Sequence, residues 1–560
     1  MQQGFETEVD LLVIGAGAGG MTAALSGAIR NLSVLLCEKT DQVGGTTSTS
    51  GGTTWVPGTQ LSKTAGVPDR AEDAAEFLRY VVGNRGGDAQ REAFLASGDA
   101  AIADLEAHSE VRFVASAAHP DYLDGPGAAY GGRALAPVAF DGRRLGQDFN
   151  RIRPPRAIFM GLGGMMVGRA ELGALLKPFA SLGNLRTTLG IVLPYVRDRL
   201  THRRGTRLLM GNALVARLFY SLRQRKVPVW FNSPLSDFLR EDGRIIGAVI
   251  DTPEGPRRVR ARRGVVLATG GIGHSQALRD RLFPAEIARV SQAGPGSTGD
   301  GISLAETRLG AAVDDGGDSA GLWMPCSFLA QKDGAPAIWP HILLDRAKPG
   351  LIAVGPDGRR FVNESDSYHD FCMGMIRAGL DAAWLVVDDA FIRRYGLGLV
   401  LPGGRGLGRL LRKGYLTRAA TLPALAAKIG VDPAGLAASV AANNRFATEG
   451  VDRDFGRGTS VMNRFNGDPE AAGNPCLGPL DKAPFYALRV VPVDLAGSAG
   501  LRTDEDGAVL DGSGAVLPGL YACGNDAASL FRGTYPGPGT TIGPAMVMAW
   551  RIAQAAARAA

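Results

Sequence analysis

At 560 residues, with 45% hydrophobic and 21% charged residues, the chain has the make-up of a globular protein with room for two or more domains. A net charge of only +6, from 61 basic against 55 acidic residues, lends little support to a nucleic-acid role. The five scattered cysteines form no C-x-x-C pair, which argues against a zinc site or disulfide frame and suits a reducing, cytoplasmic setting. Glu6, Glu8 and Asp10 precede the first apolar run, unlike a signal peptide, and no stretch is apolar enough to span a bilayer.

The run Val9–Gly15 reads as a buried parallel strand. It enters Gly15-Ala-Gly-Ala-Gly-Gly20 and then a small-residue helix from Met21. Gly15 suits the tight turn, Gly17 the approach of a pyrophosphate, and Gly20 close packing of helix on strand. The helix N-terminus, with Ala18 and Gly19, offers unpaired N–H groups to an anion. A second strand from Ser33 ends at Glu38, spaced for a ribose hydroxyl, with Lys39 beside it. A second glycine/threonine loop follows, with Gly45, Thr46, Thr47, Ser50, Gly51 and Gly52 placed to hug a cofactor.

With this second loop the chain resembles the flavoprotein superfamily of the fumarate reductase and succinate dehydrogenase flavin subunits. That resemblance implies an α/β fold: a Rossmann-like FAD-binding domain carrying an inserted α+β substrate domain. It favours FAD over NAD. Of the six histidines none has the flavin-linking context, since His119 precedes a proline far from the Gly44–Thr54 loop, so non-covalent FAD is expected.

Residues 69–110 read as helices. Tyr122 follows on a loop or short strand, where on its own it is an ordinary packed tyrosine. Residues 151–230 form an apolar and basic insertion. Two short apolar runs, 159–167 and 189–196, precede Arg197, Arg199, Arg203, Arg204, Arg207, Arg217, Arg223, Arg225 and Lys226, against the single acid Asp198. That pattern fits peripheral docking on the inner face of a membrane, or a helical cap with its arginines in water. The strand ending in Ala268-Thr269-Gly270-Gly271 and the glycine-flanked Asp300 match the superfamily's cofactor segments. The FAD domain is expected over 1–310, the inserted domain over 311–480, and the return to FAD over 481–560. Within the insert, Arg360-Phe-Val-Asn363-Glu364 resembles a run that borders the superfamily's active site. Asn363 and Glu364 read better as structural groups.

Gly519–Asn525 resembles a flavin motif that includes Gly524 and Asn525. Thr541 and Ile542 open the last helix, whose N-terminus favours negative charge. Before it stands Gly533-Thr-Tyr-Pro-Gly-Pro-Gly-Thr-Thr-Ile-Gly543. Taken alone this is a surface turn. Its prolines and glycines can instead fix the Tyr535 hydroxyl and the Gly539 N–H on one oxyanion. The stretch looks like the 3-ketosteroid 1-dehydrogenases, whose sites hold two further tyrosines at places that Tyr368 and Tyr122 fit. The resemblance implies that Tyr368 takes a proton from carbon 2, helped by Tyr122, that a hydride passes from carbon 1 to the flavin, and that a quinone-like acceptor removes the electrons. A 3-ketosteroid 4-dehydrogenase and a fumarate-reductase-like flavoprotein remain alternatives, although Arg532 departs from the arginine pattern of the latter.

Overall fold

A computed structural model describes residues 5–67, 69–331, 334, 336–342 and 345–558. Two sheets organise them. The first has eight strands. Thr7–Ile14 is central, parallel to Val34–Cys37 on one side and to Gly255–Leu267 on the other. Val516–Ala522 continues the parallel run beyond Gly255–Leu267, so the chain's last part returns to the sheet on which it began. Leu11, Leu12 and Val13 have no exposed surface, because layers cover both faces of the strand, which explains its unalternating apolar sequence. Helices Ala18–Ile29, Met210–Gln224 and Ile542–Arg558 pack together on one side.

Pairing in register brings Ile14, Cys37, Leu267 and Ala522 to one edge. The turns that follow each of them therefore lie side by side at the carboxyl ends of parallel strands. In open α/β sheets that edge is where ligands bind.

The second sheet has six strands and is antiparallel. Its longest strand, Phe485–Gly497, pairs with both Gly321–Leu329 and Ala383–Asp388. This strand lies past the 480 boundary expected from sequence. Its Phe-Tyr-Ala-Leu stretch is apolar because both faces are covered, and the second lobe closes near 497.

The 151–230 segment divides in two. Helices Arg169–Leu176 and Leu182–Asp198 pack against each other as a hairpin, whereas Met210–Gln224 is a buried helix of the first lobe. The basic run divides likewise, so neither a membrane-facing set nor a cap with all its arginines in water describes the whole of it. Arg204 is buried over the Phe149 ring and donates to Asn212. Arg217 is buried and donates to the carbonyls of Glu110, Val138 and Ala139. Arg207 pairs with Glu171 and Arg223 with Asp148. Arg197, Arg199 and Arg203 stay exposed. Among the described residues no helix is long and apolar enough to cross a membrane.

Candidate active site

The turns at the sheet edge form a groove that runs into a cavity of about 400 Å³ reaching the second lobe. Backbone conformation makes the groove. Gly15 has φ +104°, and a Cβ there would lie 2.2 Å from the Ala268 carbonyl oxygen. At Gly20 a Cβ would lie 1.8 Å from the Gly15 oxygen, so this glycine packs helix against strand and does not itself line the cavity. At Gly17 and Gly45 a Cβ would meet nothing within 4 Å. Space is thus open beside the backbone where a pyrophosphate is expected to approach the helix N-terminus.

The Glu38 carboxylate accepts from the N–H groups of Ala16 and Thr40, fixing it at the end of its strand. Lys39 pairs with Asp300. Gly19, Thr46, Thr47, Ser50, Gly51, Gly52, Thr269, Gly270, Gly524, Asn525, Thr541 and Ile542 line the same cavity, with Ala18 and Ala268. So does Arg153, whose Nε is buried without a partner among the described residues. Open glycine backbone, a helix N-terminus, an acid at the end of the second strand and an orphaned guanidinium N–H together fit a dinucleotide such as FAD.

At the junction of the lobes three tyrosines far apart in sequence meet. The Tyr368 hydroxyl donates to that of Tyr535 at 2.9 Å, and the Tyr122 hydroxyl faces that of Tyr368 at 3.4 Å. The second distance is longer than a good O–H···O bond. The rings of Tyr122 and Tyr535 stack with centroids 5.6 Å apart, and Tyr368 meets both edge-on. All three are buried yet line the cavity. Burial pushes all three phenols above the usual tyrosine range.

Each tyrosine is held locally. Ser367 caps the helix Tyr368–Arg377 by accepting from the Asp370 N–H, so Tyr368 is its first residue. The Tyr122 N–H donates to the Pro536 carbonyl at 2.7 Å, joining two of the tyrosine loops. Asp121 beside it accepts from the Trp55 indole and, with Asp69, from the fully buried Arg133. A Cβ at Gly537 would lie 2.6 Å from that indole nitrogen, and one at Gly539, where φ is +94°, would lie 2.3 Å from the Thr53 oxygen. The Pro/Gly loop is therefore wedged into the core and is no free surface turn. The Gly539 N–H has no acceptor among the described residues.

Some positioning groups had no motif to announce them. Buried His369 accepts from the Trp323 N–H at Nδ1 and donates from Nε2 to the Gly533 carbonyl, pinning the start of the Tyr535 loop. Burial pushes its pKa down and keeps it neutral. Buried Asp526 accepts from the N–H groups of Thr269 and Gly271, tying two groove turns together. Adjacency to Tyr368 and Asn525 was the only signal of either. Asn363 and Glu364 stay out of the cavity: Glu364 sits in a buried ionic cluster with Arg360, Arg457 and Asp452, and Asn363 donates to Asn463. Arg532 also stays out, held by Asp314 and the Arg85 carbonyl.

Comparison with known proteins adds to this geometry. The model of a family described as "FAD binding domain" matches residues 10–542. The chain is 37% identical to a 4-oxocyclohex-2-ene-1-carboxylate 5-dehydrogenase of Sinomonas cyclohexanicum, over 98% of this chain and 94% of that protein. It is 36% identical to a 3-oxosteroid 1-dehydrogenase of Mycolicibacterium smegmatis, over 98% and 96%. The crystal structure of a 3-ketosteroid delta1-dehydrogenase from Sterolibacterium denitrificans, in complex with 1,4-androstadiene-3,17-dione, superposes with a TM-score of 0.90 at 33% identity, covering 98% of this chain and 99% of that one.

Proposed function

This chain belongs to the FAD-binding family that includes the 3-oxosteroid 1-dehydrogenases, and on that premise we propose that it removes hydrogen from carbons 1 and 2 of a 3-ketosteroid. It is an FAD-dependent oxidoreductase acting on a CH–CH bond. The observation that supports this substrate chemistry is the meeting of Tyr122, Tyr368 and Tyr535 in a cavity continuous with the cofactor groove. Relatives named for steroid and for cyclohexene carboxylate substrates share dehydrogenation of a ring that bears a ketone.

Neither C–H is acidic until the ketone is polarised. The Tyr535 hydroxyl and the free Gly539 N–H donate to the ketone oxygen and stabilise the enolate charge; one such donor is worth about 3 kcal/mol of barrier. Tyr368 takes the carbon 2 proton on its phenol oxygen. Tyr122 and Tyr535 are the two hydroxyls in reach to share that proton. Bound FAD supplies the two-electron acceptor, expected to be held non-covalently by the groove. Because burial holds Tyr368 above its usual range, kcat/KM should climb with pH on the alkaline side, as the ionised base becomes more populated.

Tyr368→Phe is expected to abolish turnover of androst-4-ene-3,17-dione, and Tyr535→Phe to slow it about 100-fold or more, with the yellow cofactor retained in both. Unchanged rates in both variants would remove the reading. Product analysis separates 1,2- from 4,5-dehydrogenation. The placement of Arg532 outside the cavity speaks against fumarate reduction.

A second reading concerns where the protein works. Nine of the eighteen exposed large apolar side chains among the described residues fall between 159 and 200. Phe179, Leu182 and Leu200 are each more than 80% exposed. With Arg197, Arg199 and Arg203 nearby, the hairpin suits shallow insertion into an anionic leaflet. It would place the protein on the cytoplasmic face of a membrane, near a lipid-soluble steroid and a quinone-like acceptor. Flotation with anionic liposomes checks this: Phe179→Ser with Leu182→Ser should halve the bound fraction or more.

A further inference from the structure

Beyond the tyrosines, the cavity is lined by a cation that has one carbonyl partner and no ion pair among the described residues. It is Arg156, on the extended segment that leads into the 3-10 turn Ala157–Phe159. Its Nη2 donates to the Gln292 carbonyl at 2.7 Å. It forms no ion pair among the described residues. Of the groups whose charge would favour the cation, Asp494 is already committed to Arg279 and Ser291. Burial pushes the Arg156 pKa down, which marks a cation short of compensation. Arg133, Arg360 and Arg346, buried elsewhere in the chain, end on carboxylates or several carbonyls. A half-buried guanidinium that faces a cavity with a single carbonyl partner lacks what such groups need.

Arg156 lines the same cavity as Tyr122, Tyr368 and Tyr535. Phe159 and Trp339, with ring centroids 5.1 Å apart, make an apolar bridge between the lobes beside it.

The geometry points to Arg156 as the seat of a carboxylate carried by the substrate: the preferred substrate is a ring ketone with an anionic substituent, not a wholly neutral polycycle. This rests on the ring-ketone dehydrogenation proposed above and narrows it. A carboxylate against a guanidinium can form two parallel charge-assisted hydrogen bonds, which fix register as well as adding affinity. With the ketone on Tyr535 and Gly539 and the acid on Arg156, the substrate is held at two groups.

The test compares 4-oxocyclohexanecarboxylate with its methyl ester, which keeps the shape and removes the charge, and 3-oxopregn-4-ene-20-carboxylate with androst-4-ene-3,17-dione. Kinetics are run on the FAD-loaded enzyme, and binding is followed separately through the flavin absorbance spectrum. At least one acid should exceed its neutral counterpart tenfold in kcat/KM, the cyclohexane pair reporting a single-ring substrate and the pregnene pair a steroid acid. Arg156→Gln should collapse that ratio tenfold or more, chiefly through KM and with a matching rise in the dissociation constant, and Arg156→Lys should restore part of it. Equal treatment of acid and neutral ketone by the wild type overturns the inference while leaving the dehydrogenase reading intact. So does loss of FAD from Arg156→Gln, which would assign the guanidinium to the cofactor. If no ketone of the four bleaches the flavin, the dehydrogenase reading itself falls.

Discussion

The cofactor groove and the tyrosine cluster adjoin in one cavity but are built by different means. Backbone makes the groove: four turns at the ends of paired parallel strands, each shaped by glycines whose absent Cβ leaves room either for another segment or for a ligand. Side chains make the cluster: three phenols from three separate loops, brought together by buried charge, a helix cap and a neutral histidine. The first construction is local in sequence and the second is not. The two should therefore fail differently when broken.

The largest effect is expected where the cluster leans on buried charge. Arg133 is 2% exposed and holds both Asp69 and Asp121. Arg133→Met would strand two buried carboxylates, a loss of about 3–5 kcal/mol. It should also free the Tyr122 loop, so thermal unfolding would drop and the remaining folded enzyme would turn over slowly. A variant with unchanged melting would show that Asp121 does not anchor Tyr122. The groove should break the other way. Gly17 has φ −78° and no neighbour near a Cβ, so Gly17→Val costs the apoprotein little. The added methyls would occupy the open space that we propose for the pyrophosphate, and FAD affinity should fall tenfold or more while melting of the apoprotein stays within a few degrees. Flavin absorbance relative to protein absorbance reads this directly. If Gly17→Val unfolds the protein as Gly20→Val should, the distinction between ligand-facing and packing glycines is wrong.

The same contrast explains what was legible before folding. Gly15, Gly17, Glu38 and Ala268–Gly271 could be placed because strand, turn and helix follow one another along the chain. The tyrosines could be gathered only through resemblance, since nothing in the spacing of 122, 368 and 535 fixes their convergence. The partners that hold them were silent for the same reason: Asp121 and Arg133 look like loop charges, and His369 like any helix residue. The basic run after 196 could not be divided from sequence because charge along a chain says nothing of burial, and Arg204 and Arg217 turn inward to cap carbonyls and aromatic rings. The strand Phe485–Gly497 fell outside the expected insert because an apolar run does not name the sheet it joins.

The smallest effect tests whether side-chain networks near the cluster are tuned as well as packed. Asp366 lies two residues before Tyr368, where burial pushes its carboxyl up to about 7 against the hydrogen bond from Asn463. In the unfolded chain an aspartate titrates near 3.9. The folded state therefore binds this proton more tightly, and its contribution to stability is complete below about pH 4 and fades as pH rises through about 7. Asp366→Asn keeps a polar group that cannot ionise. It should flatten the decline of wild-type stability between pH 5 and 8, a difference on the order of 1–3 kcal/mol at the alkaline end. Denaturant melts at pH 5 and pH 8 measure it, provided the midpoint is compared without a change of slope. A variant with the wild-type pH dependence would mean that Asp366 ionises freely, and that the second lobe surrounds Tyr368 with ordinary packing only.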